Sequence, residues 1–301
     1  MIFCHPTLKS RTHNRGASSQ GLGRAFGLLL VAFLTLSFRL LAAPDVTAVA
    51  GDIAFKSLPS ARYHLDGPIG QRIRMNVENW LVPAPEANPG LIQMFQQRDR
   101  QPPPDLVPWA GEFVGKYLIS AIQALRLMDK PELRERVTAV VKQWIASQAT
   151  DGYLGPFPQN VRLKAHWDLW GHYHAMLALL LWHEATGDEA ALQACRRAAD
   201  LVCATFLDSN LRVIDAGSPE MNMAIIHGLG RLYRVTREAR YLQMMREIEK
   251  DWERAGDYFR TGLAGVEFFQ TPKPRWESLH DVQGLIELYR ITGDERYKTA
   301  F

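Results

Sequence analysis

Cysteine is scarce, with three in 301 residues. Cys4 lies near the start; Cys195 and Cys203 are eight residues apart in a helical pattern, roughly 12 Å along one axis. That exceeds the reach of a disulfide, so none is expected between them and both read as buried apolar residues. The sequence also lacks a His-Glu-x-x-His pair, a paired Cys-x-x-Cys, a Gly-x-Ser-x-Gly elbow and a phosphate-binding loop, which removes the common metalloprotease, serine-hydrolase and nucleotide-binding signatures. Gly21-Leu-Gly23 and Gly228-Leu-Gly230 are not dinucleotide fingerprints, the first lying in the leader and the second inside a helix. Charge of one sign is missing as well. The net charge is +3, but residues 1–43 carry five Lys/Arg (Lys9, Arg11, Arg15, Arg24, Arg39) and no acid, leaving 30 basic against 32 acidic residues in the body. Such a body has no global field to hold nucleic acid, and none is expected as a partner.

The long apolar run that does occur is residues 25–38, AFGLLLVAFLTLSF, behind a basic, acid-free stretch. As a helix it rises roughly 21 Å, short of a bilayer core of about 30 Å. With small-residue sites at Leu41-Ala42-Ala43 and Ala48-Val49-Ala50, residues 1–43 read as a secretory signal peptide or, uncleaved, as an N-terminal anchor. An intracellular chain with a misassigned start is a further reading. The expected location is secreted or periplasmic, with no stable membrane contact beyond the leader.

Residues 44–108 form a second segment. A helix is expected over 68–80, followed by seven prolines between 82 and 108 (Pro83, Pro85, Pro89, Pro102, Pro103, Pro104, Pro108). Proline at that density predicts extended or irregular chain wrapped over the domain. From 109 onward, apolar residues recur at spacings of three and four and no alternating strand pattern is present, so residues 109–301 read as all-α. The helices come in pairs. Asp129, Asp188, Glu238 and Asp294 open the second helix of each pair, at intervals of 59, 50 and 56 residues. A period of about 55 with two helices per unit indicates a helical-hairpin array, and the long connections at 150–166 and 255–276 favour a closed (α/α)6 toroid over an open solenoid. Six such units need roughly 330 residues, so the sequence reads as an incomplete barrel of about four hairpins.

Each unit also has an acid near the start of its first helix: Glu112, Asp168, Glu220 and Glu277. Around a funnel these would suit sugar hydroxyls and acid/base chemistry. As helix N-terminal charges alone they would be worth about 0.3–1 kcal/mol each. Trp109, Tyr153, Phe157, Trp167, Trp170 and Trp276 gather in the same segments. Trp109 and Trp167 enter from loops and are expected in the funnel; Trp170 and Trp276 are expected in the core. In His166-Trp-Asp-Leu-Trp-Gly-His-Tyr-His174, Asp168 and His172 are four apart and pair on one helix face. His172 and His174 are two apart, on opposed faces, and do not chelate one ion together. No metal site and no cofactor are expected in this chain, and His174 reads as a satisfied interior histidine.

Trp109-Ala-Gly-Glu-Phe-Val-Gly-Lys-Tyr-Leu118, Gln148-Ala-Thr-Asp-Gly-Tyr-Leu-Gly-Pro156, Trp167-Asp-Leu-Trp-Gly-His-Tyr-His174 with Ala185-Thr-Gly-Asp188, Gly230-Arg-Leu-Tyr-Arg-Val-Thr236 and Gly284-Leu-Ile-Glu-Leu-Tyr-Arg-Ile-Thr-Gly-Asp294 follow one another in an order and spacing that resembles the β-L-arabinofuranosidase family, glycoside hydrolase family 127, over about residues 55–301. The resemblance implies an (α/α)6 catalytic domain followed by β-sandwich domains, and retaining hydrolysis of terminal sugars from plant-type glycans. It implies zinc for the full-length family, with a zinc-bound cysteine as nucleophile and a glutamate as acid/base, both falling beyond Phe301; Cys195 and Cys203 do not match them. His280 matches a histidine common at the head of an inner helix. Trp167-Asp-Leu169 stands where the family often has His-Glu-Leu, a departure that points to a divergent subgroup, and the region around Asn222 is a loose match.

The preferred reading is a glycoside hydrolase fragment that binds carbohydrate through Glu112, Lys116, Trp167, Asp168, His172 and His280, with its catalytic residues unassigned. The alternative is a non-catalytic carbohydrate-binding or degenerate toroid module in which the carboxylates only cap helices. A third reading, epimerase or lyase action on uronates, would draw on His172, Tyr173 and His280 as bases.

Overall fold

Where apolar residues recur every three to four positions, the chain folds into helices, and where Thr-Gly-Asp follows, it reverses. The computed structural model describes residues 51–54, 58 and 61–301, all within the unit Thr47–Phe301. The leader, with its signal-peptide or anchor reading, lies outside the described residues. Among the described residues the regular structure is entirely helical, and no helix is long and apolar enough to cross a membrane.

The N-terminal segment contributes α1 (Gly67–Asn76), which continues through a π-helical turn at Val77–Leu81 into α2 (Ala84–Ala87) and α3 (Gly90–Gln96). The helix expected over 68–80 is therefore present. The proline-rich stretch departs from expectation, because two short helices stand where extended chain was predicted. Pro83 and Pro89 occupy the N-cap positions of α2 and α3, and Pro85 lies in the first turn of α2. Proline is tolerated there because the first-turn N–H groups have no intrahelical acceptor to lose. Leu81, Ile92, Met94 and Phe95 bury into the main core, Phe95 edge-on to Trp144 at 5.5 Å between centroids.

Four hairpins follow: α4 (Glu112–Leu127) with α5 (Pro131–Ala146), α6 (Asp168–Thr186) with α7 (Glu189–Phe206), α9 (Ile225–Thr236) with α10 (Ala239–Asp251), and α12 (Ser278–Thr292) with α13 (Glu295–Ala300). Two short helices, α8 (Pro219–Asn222) and α11 (Tyr258–Leu263), sit in the connections. First helices pack on first helices, α4 on α6 on α9 on α12, and second helices run outside them. Each hairpin thus adds one inner and one outer element to an (α/α) toroid. Helix α6 is buried on nearly every side, from Asp168 to Leu180 without a break, as an inner helix flanked by neighbours must be. Outer α7 buries a stripe, Ala191, Leu192, Ala194, Cys195, Ala198, Ala199, Val202, Cys203 and Phe206, and turns its charged face away. Cys195 and Cys203 are both free and buried on that stripe, as the spacing implied.

The reversals are built from local chemistry. Gly187 (φ 74°) and Gly293 (φ 69°) take the left-handed conformation that ends α6 and α12. The next residue caps the following helix: Asp188 accepts from the amides of Ala190 at 2.9 Å and Ala191 at 3.4 Å, and Asp294 accepts from Arg296 N at 3.0 Å. The third hairpin has Thr236-Arg237-Glu238 instead. Arg237 is forced to φ 59° and Glu238 makes no side-chain cap.

Inner helices approach closely where glycine removes a side chain. A Cβ on Gly115 would stand 2.5 Å from His174 Cβ and 2.8 Å from its carbonyl oxygen, so α4 and α6 meet backbone to backbone at that level. Gly284 does the same between α12 and Ile226 of α9, where a Cβ would be 2.5 Å from Ile226 Cγ2.

Two outcomes are expected in urea unfolding. Arg237→Gly should stabilise the chain by about 0.5–1 kcal/mol, because glycine adopts the left-handed conformation without a Cβ clash. Gly115→Ala should destabilise it by about 1–3 kcal/mol through overpacking of the α4–α6 contact. Unchanged midpoints would contradict these assignments.

Candidate functional site

The heads of the inner helices bring one set of side chains together. Glu112, the first residue of α4, is 7% exposed. Its Oε2 receives the Lys116 ammonium at 2.8 Å, one helical turn on, and the Trp170 indole N–H from α6. Oε1 has no partner among the described residues. Lys116 also lies 5.5 Å from the Trp170 ring centroid and 5.0 Å from that of Trp276, in cation–π contact with both. Trp170 and Trp276 meet edge to face at 5.6 Å, and His280 of α12 is edge-on to Trp170 at 4.9 Å. Trp276 corrects one expectation: it is 55% exposed rather than in the core, presenting an indole face beside a carboxylate–ammonium pair. Trp170 is buried as expected, yet its N–H serves the Glu112 carboxylate.

Beneath this rim lies a histidine–tyrosine cluster. The Tyr173 hydroxyl is 2.8 Å from His280 Nδ1 and 3.0 Å from His227 Nδ1. His174 packs against Trp170 at 4.4 Å, with its Nδ1 2.9 Å from the Trp170 carbonyl oxygen. Burial holds all three imidazoles neutral at pH 7, lowering His174 and His227 to about 3 and His280 to about 4, with the Lys116 charge also depressing His280. Burial likewise pushes the Tyr173 phenol well above its ordinary value. Asp281, adjacent in sequence to His280, is wholly buried; neither of its carboxyl oxygens has a protein hydrogen bond, and burial with the nearby Glu220 charge raises it far above the usual carboxylate range.

Asp168 and His172 are placed elsewhere. Asp168 accepts from the Tyr153 hydroxyl at 2.9 and 3.0 Å and from Leu163 N at 2.7 Å. His172 Nε2 accepts from Leu154 N at 3.2 Å, while its Nδ1 faces the Asp168 carbonyl at 3.0 Å and the carboxylate at 3.6 Å. The expected pair on one helix face is present, but both residues are buried and engaged by protein. They fasten the 150–166 connection to the head of α6. Trp167 packs on Trp109 at 5.5 Å in a loop-side aromatic pair, with Trp109 39% exposed. Glu220 and Glu277 pair with Lys273 and Arg275, each at 3.2 Å. Of the six sugar-binding candidates, Glu112, Lys116 and His280 therefore converge, Trp167 stands apart in its pair, and Asp168 and His172 form an anchor.

Sequence reasoning missed His227, and with it the Tyr173 bridge. A signal existed, since His174, His227 and His280 fall 53 residues apart, on α6, α9 and α12 in turn and close to the hairpin period. Asp281 carried no such signal, because nothing in sequence distinguishes a buried acid from a capping one.

The zinc implied by the family resemblance does not fit these residues. Among the described residues no three His, Cys, Asp or Glu side chains are placed to hold an ion. Cys195 and Cys203 point their thiols at the carbonyl oxygens of Met176 and Arg240, at 3.9 and 3.7 Å, with burial raising Cys203 to about 12.

Comparison with known proteins agrees with this architecture. Residues 84–301 match the family described as beta-L-arabinofuranosidase, GH127 catalytic domain. A non-reducing end beta-L-arabinofuranosidase of Bifidobacterium longum subsp. longum is 29% identical over 143 residues, covering 44% of this chain and 21% of that protein. A GH127 beta-arabinofuranosidase structure aligns with a TM-score of 0.58 at 19% identity, over 80% of this chain and 41% of that one. A GH127 beta-L-arabinofuranosidase from Geobacillus stearothermophilus T6 aligns with a TM-score of 0.56 at 18% identity, over 78% and 43%. The chain thus spans 21% of the length of the curated relative and 41–43% of the two structures. With the match running from the proline-rich segment through all four hairpins, the chain belongs to the glycoside hydrolase family 127 β-L-arabinofuranosidase family.

Proposed function

We propose that this chain supplies the carbohydrate-binding wall of a glycoside hydrolase funnel, and that its ligand is a terminal arabinofuranose-type sugar. One observation carries the reading: an exposed indole, Trp276, stands over the half-buried ammonium of Lys116, which is paired with the buried carboxylate of Glu112, beside a neutral histidine, His280. A sugar has an apolar C–H face and a rim of hydroxyls that donate and accept. The indole covers the first, while Glu112 Oε1 accepts and Lys116 donates to the second. The function of the B. longum relative, named as acting at a non-reducing end, supports a single terminal residue as ligand.

This chain's residues here bind and orient; no catalytic role is assigned to them. The zinc–cysteine centre and the acid/base glutamate implied by the family resemblance have no counterpart among the described residues, and full hydrolytic activity, with secretion or periplasmic location, is part of the same proposal. The alternative, a binding module without turnover, shares this site and differs only in lacking hydrolysis.

Titration of the chain with L-arabinose, followed by tryptophan fluorescence, should show weak saturable binding, and an aryl β-L-arabinofuranoside should bind at least as well. Trp276→Ala should weaken binding about 2–10-fold, from the loss of one aromatic face worth about 0.5–1.5 kcal/mol. Glu112→Gln should weaken it about tenfold, through loss of a charged acceptor worth about 1.5 kcal/mol. No response to arabinose, or a stronger one to galacturonate, would sink the assignment and favour the uronate reading.

The neutral histidines also set a pH dependence of stability. In the unfolded chain they take up protons near their ordinary value of about 6.5, whereas in the fold His280 resists to about 4 and His174 and His227 to about 3. The unfolded state therefore binds more protons in this window, and stability falls as pH drops from about 6.5. The urea midpoint should decrease between pH 6.5 and 5, less steeply in His280→Gln. An identical slope in that variant would contradict the assigned burial effect.

A further inference from the structure

Among the described residues, Tyr173 is the one hydroxyl shared by two imidazoles, and its single proton cannot serve both. With both rings neutral and the phenol protonated at pH 7, each Tyr173–histidine contact requires one hydrogen. If the tyrosine donates to one Nδ1, the other ring must carry its own proton on Nδ1 and donate to the tyrosine oxygen. The 2.8 Å and 3.0 Å contacts therefore demand opposite tautomers in His280 and His227.

The surroundings decide which ring takes which form. His227 lines a cavity of about 480 Å3 at the opposite end of the inner helices from Trp276, together with Arg126, Arg231, Arg234 and Arg290. Glu184 pairs with Arg231 at 2.7 Å, and Glu287 takes both Arg234 at 3.0 Å and Arg290 at 2.7 Å. Four guanidinium groups line the cavity with two carboxylates, leaving a positive field that favours a lone pair, rather than an N–H, on the far nitrogen of His227. On the other side, Lys116 is neutralised by Glu112, and the charge of Glu277 acts on His280 in the opposite sense to that of Lys116. His280 Nε2 has no protein partner among the described residues.

We propose that Tyr173 and His227 are positioning residues that lock His280 as the Nε2–H tautomer, fixing it as a hydrogen-bond donor to a ligand oxygen. His227 holds the less common Nδ1–H form and donates to Tyr173; Tyr173 donates to His280 Nδ1; His280 offers Nε2–H to the site. The wall thus selects an acceptor oxygen at that position and disfavours a donor-only group. The ligand half of this inference rests on the sugar-binding reading, whereas the tautomers do not.

The test is long-range 1H–15N correlation of histidine-labelled protein at pH 7 without sugar, with signals assigned by loss in His227→Gln and His280→Gln. His227 should appear as Nδ1–H and His280 as Nε2–H. In Tyr173→Phe, His227 should shift toward the Nε2–H form that dominates free imidazole, and L-arabinose binding should weaken about 3–10-fold. Finding both rings in the same form, or His227 still Nδ1–H in Tyr173→Phe, overturns the proposal. The wild-type spectra decide it even if Tyr173→Phe does not fold. Opposite tautomers in a protein that binds no sugar would overturn the functional reading alone.

Discussion

The contact between α4 and α6 is the constraint on which the site depends. With hydrogen in place of a side chain at Gly115, the two helices meet at His174, and with Gly111 and Gly171 facing each other above, they stay close to their heads. That proximity lets Glu112 on one helix take the indole N–H of Trp170 on the next. It also lets Lys116 lie over rings from two other parts of the chain. A methyl group at this level would separate the carboxylate from the indole, and the charge pair would lose the aromatic roof that shields it from water. Packing between backbones thus acts directly on the electrostatics of the rim.

Buried polar groups divide into two kinds, and the division separates structure from chemistry. Asp168 and His172 have their polar atoms taken by Tyr153, Leu163 and Leu154, so that burial costs little and the long connection is held in place. Glu112, His280 and Asp281 retain atoms without protein partners, and unsatisfied polarity within a well-packed wall is where a ligand has something to gain. Acids at equivalent helix heads thus serve different ends according to what surrounds them.

The hairpin architecture was legible because it is written in local patterns. The three-to-four spacing, the Thr-Gly-Asp reversals and their intervals specify helices, turns and pairing without knowledge of the rest of the chain. The proline-rich stretch misled because proline opposes helix interiors but fits first turns, and that distinction depends on where a helix begins. Within the site, Glu112, Lys116 and His280 were readable from their place at helix heads. Asp168 and His172 looked equally suited, and only the fold of the 150–166 connection reveals that it consumes their hydrogen bonds. Trp276 was misjudged because the burial of an indole is decided by neighbours distant in sequence, whereas the His227 bridge was encoded in a 53-residue recurrence.

The reversals at Gly187 and Gly293 draw their geometry from a left-handed glycine and a capping aspartate within a few residues of one another. Each inner helix then rests chiefly on the one before it. Such a chain can be laid down in order during synthesis, every new hairpin finding its template already in place, with little long-range search. Growth from one end also leaves the newest inner helix as the next docking surface, so assembly order follows the direction of translation.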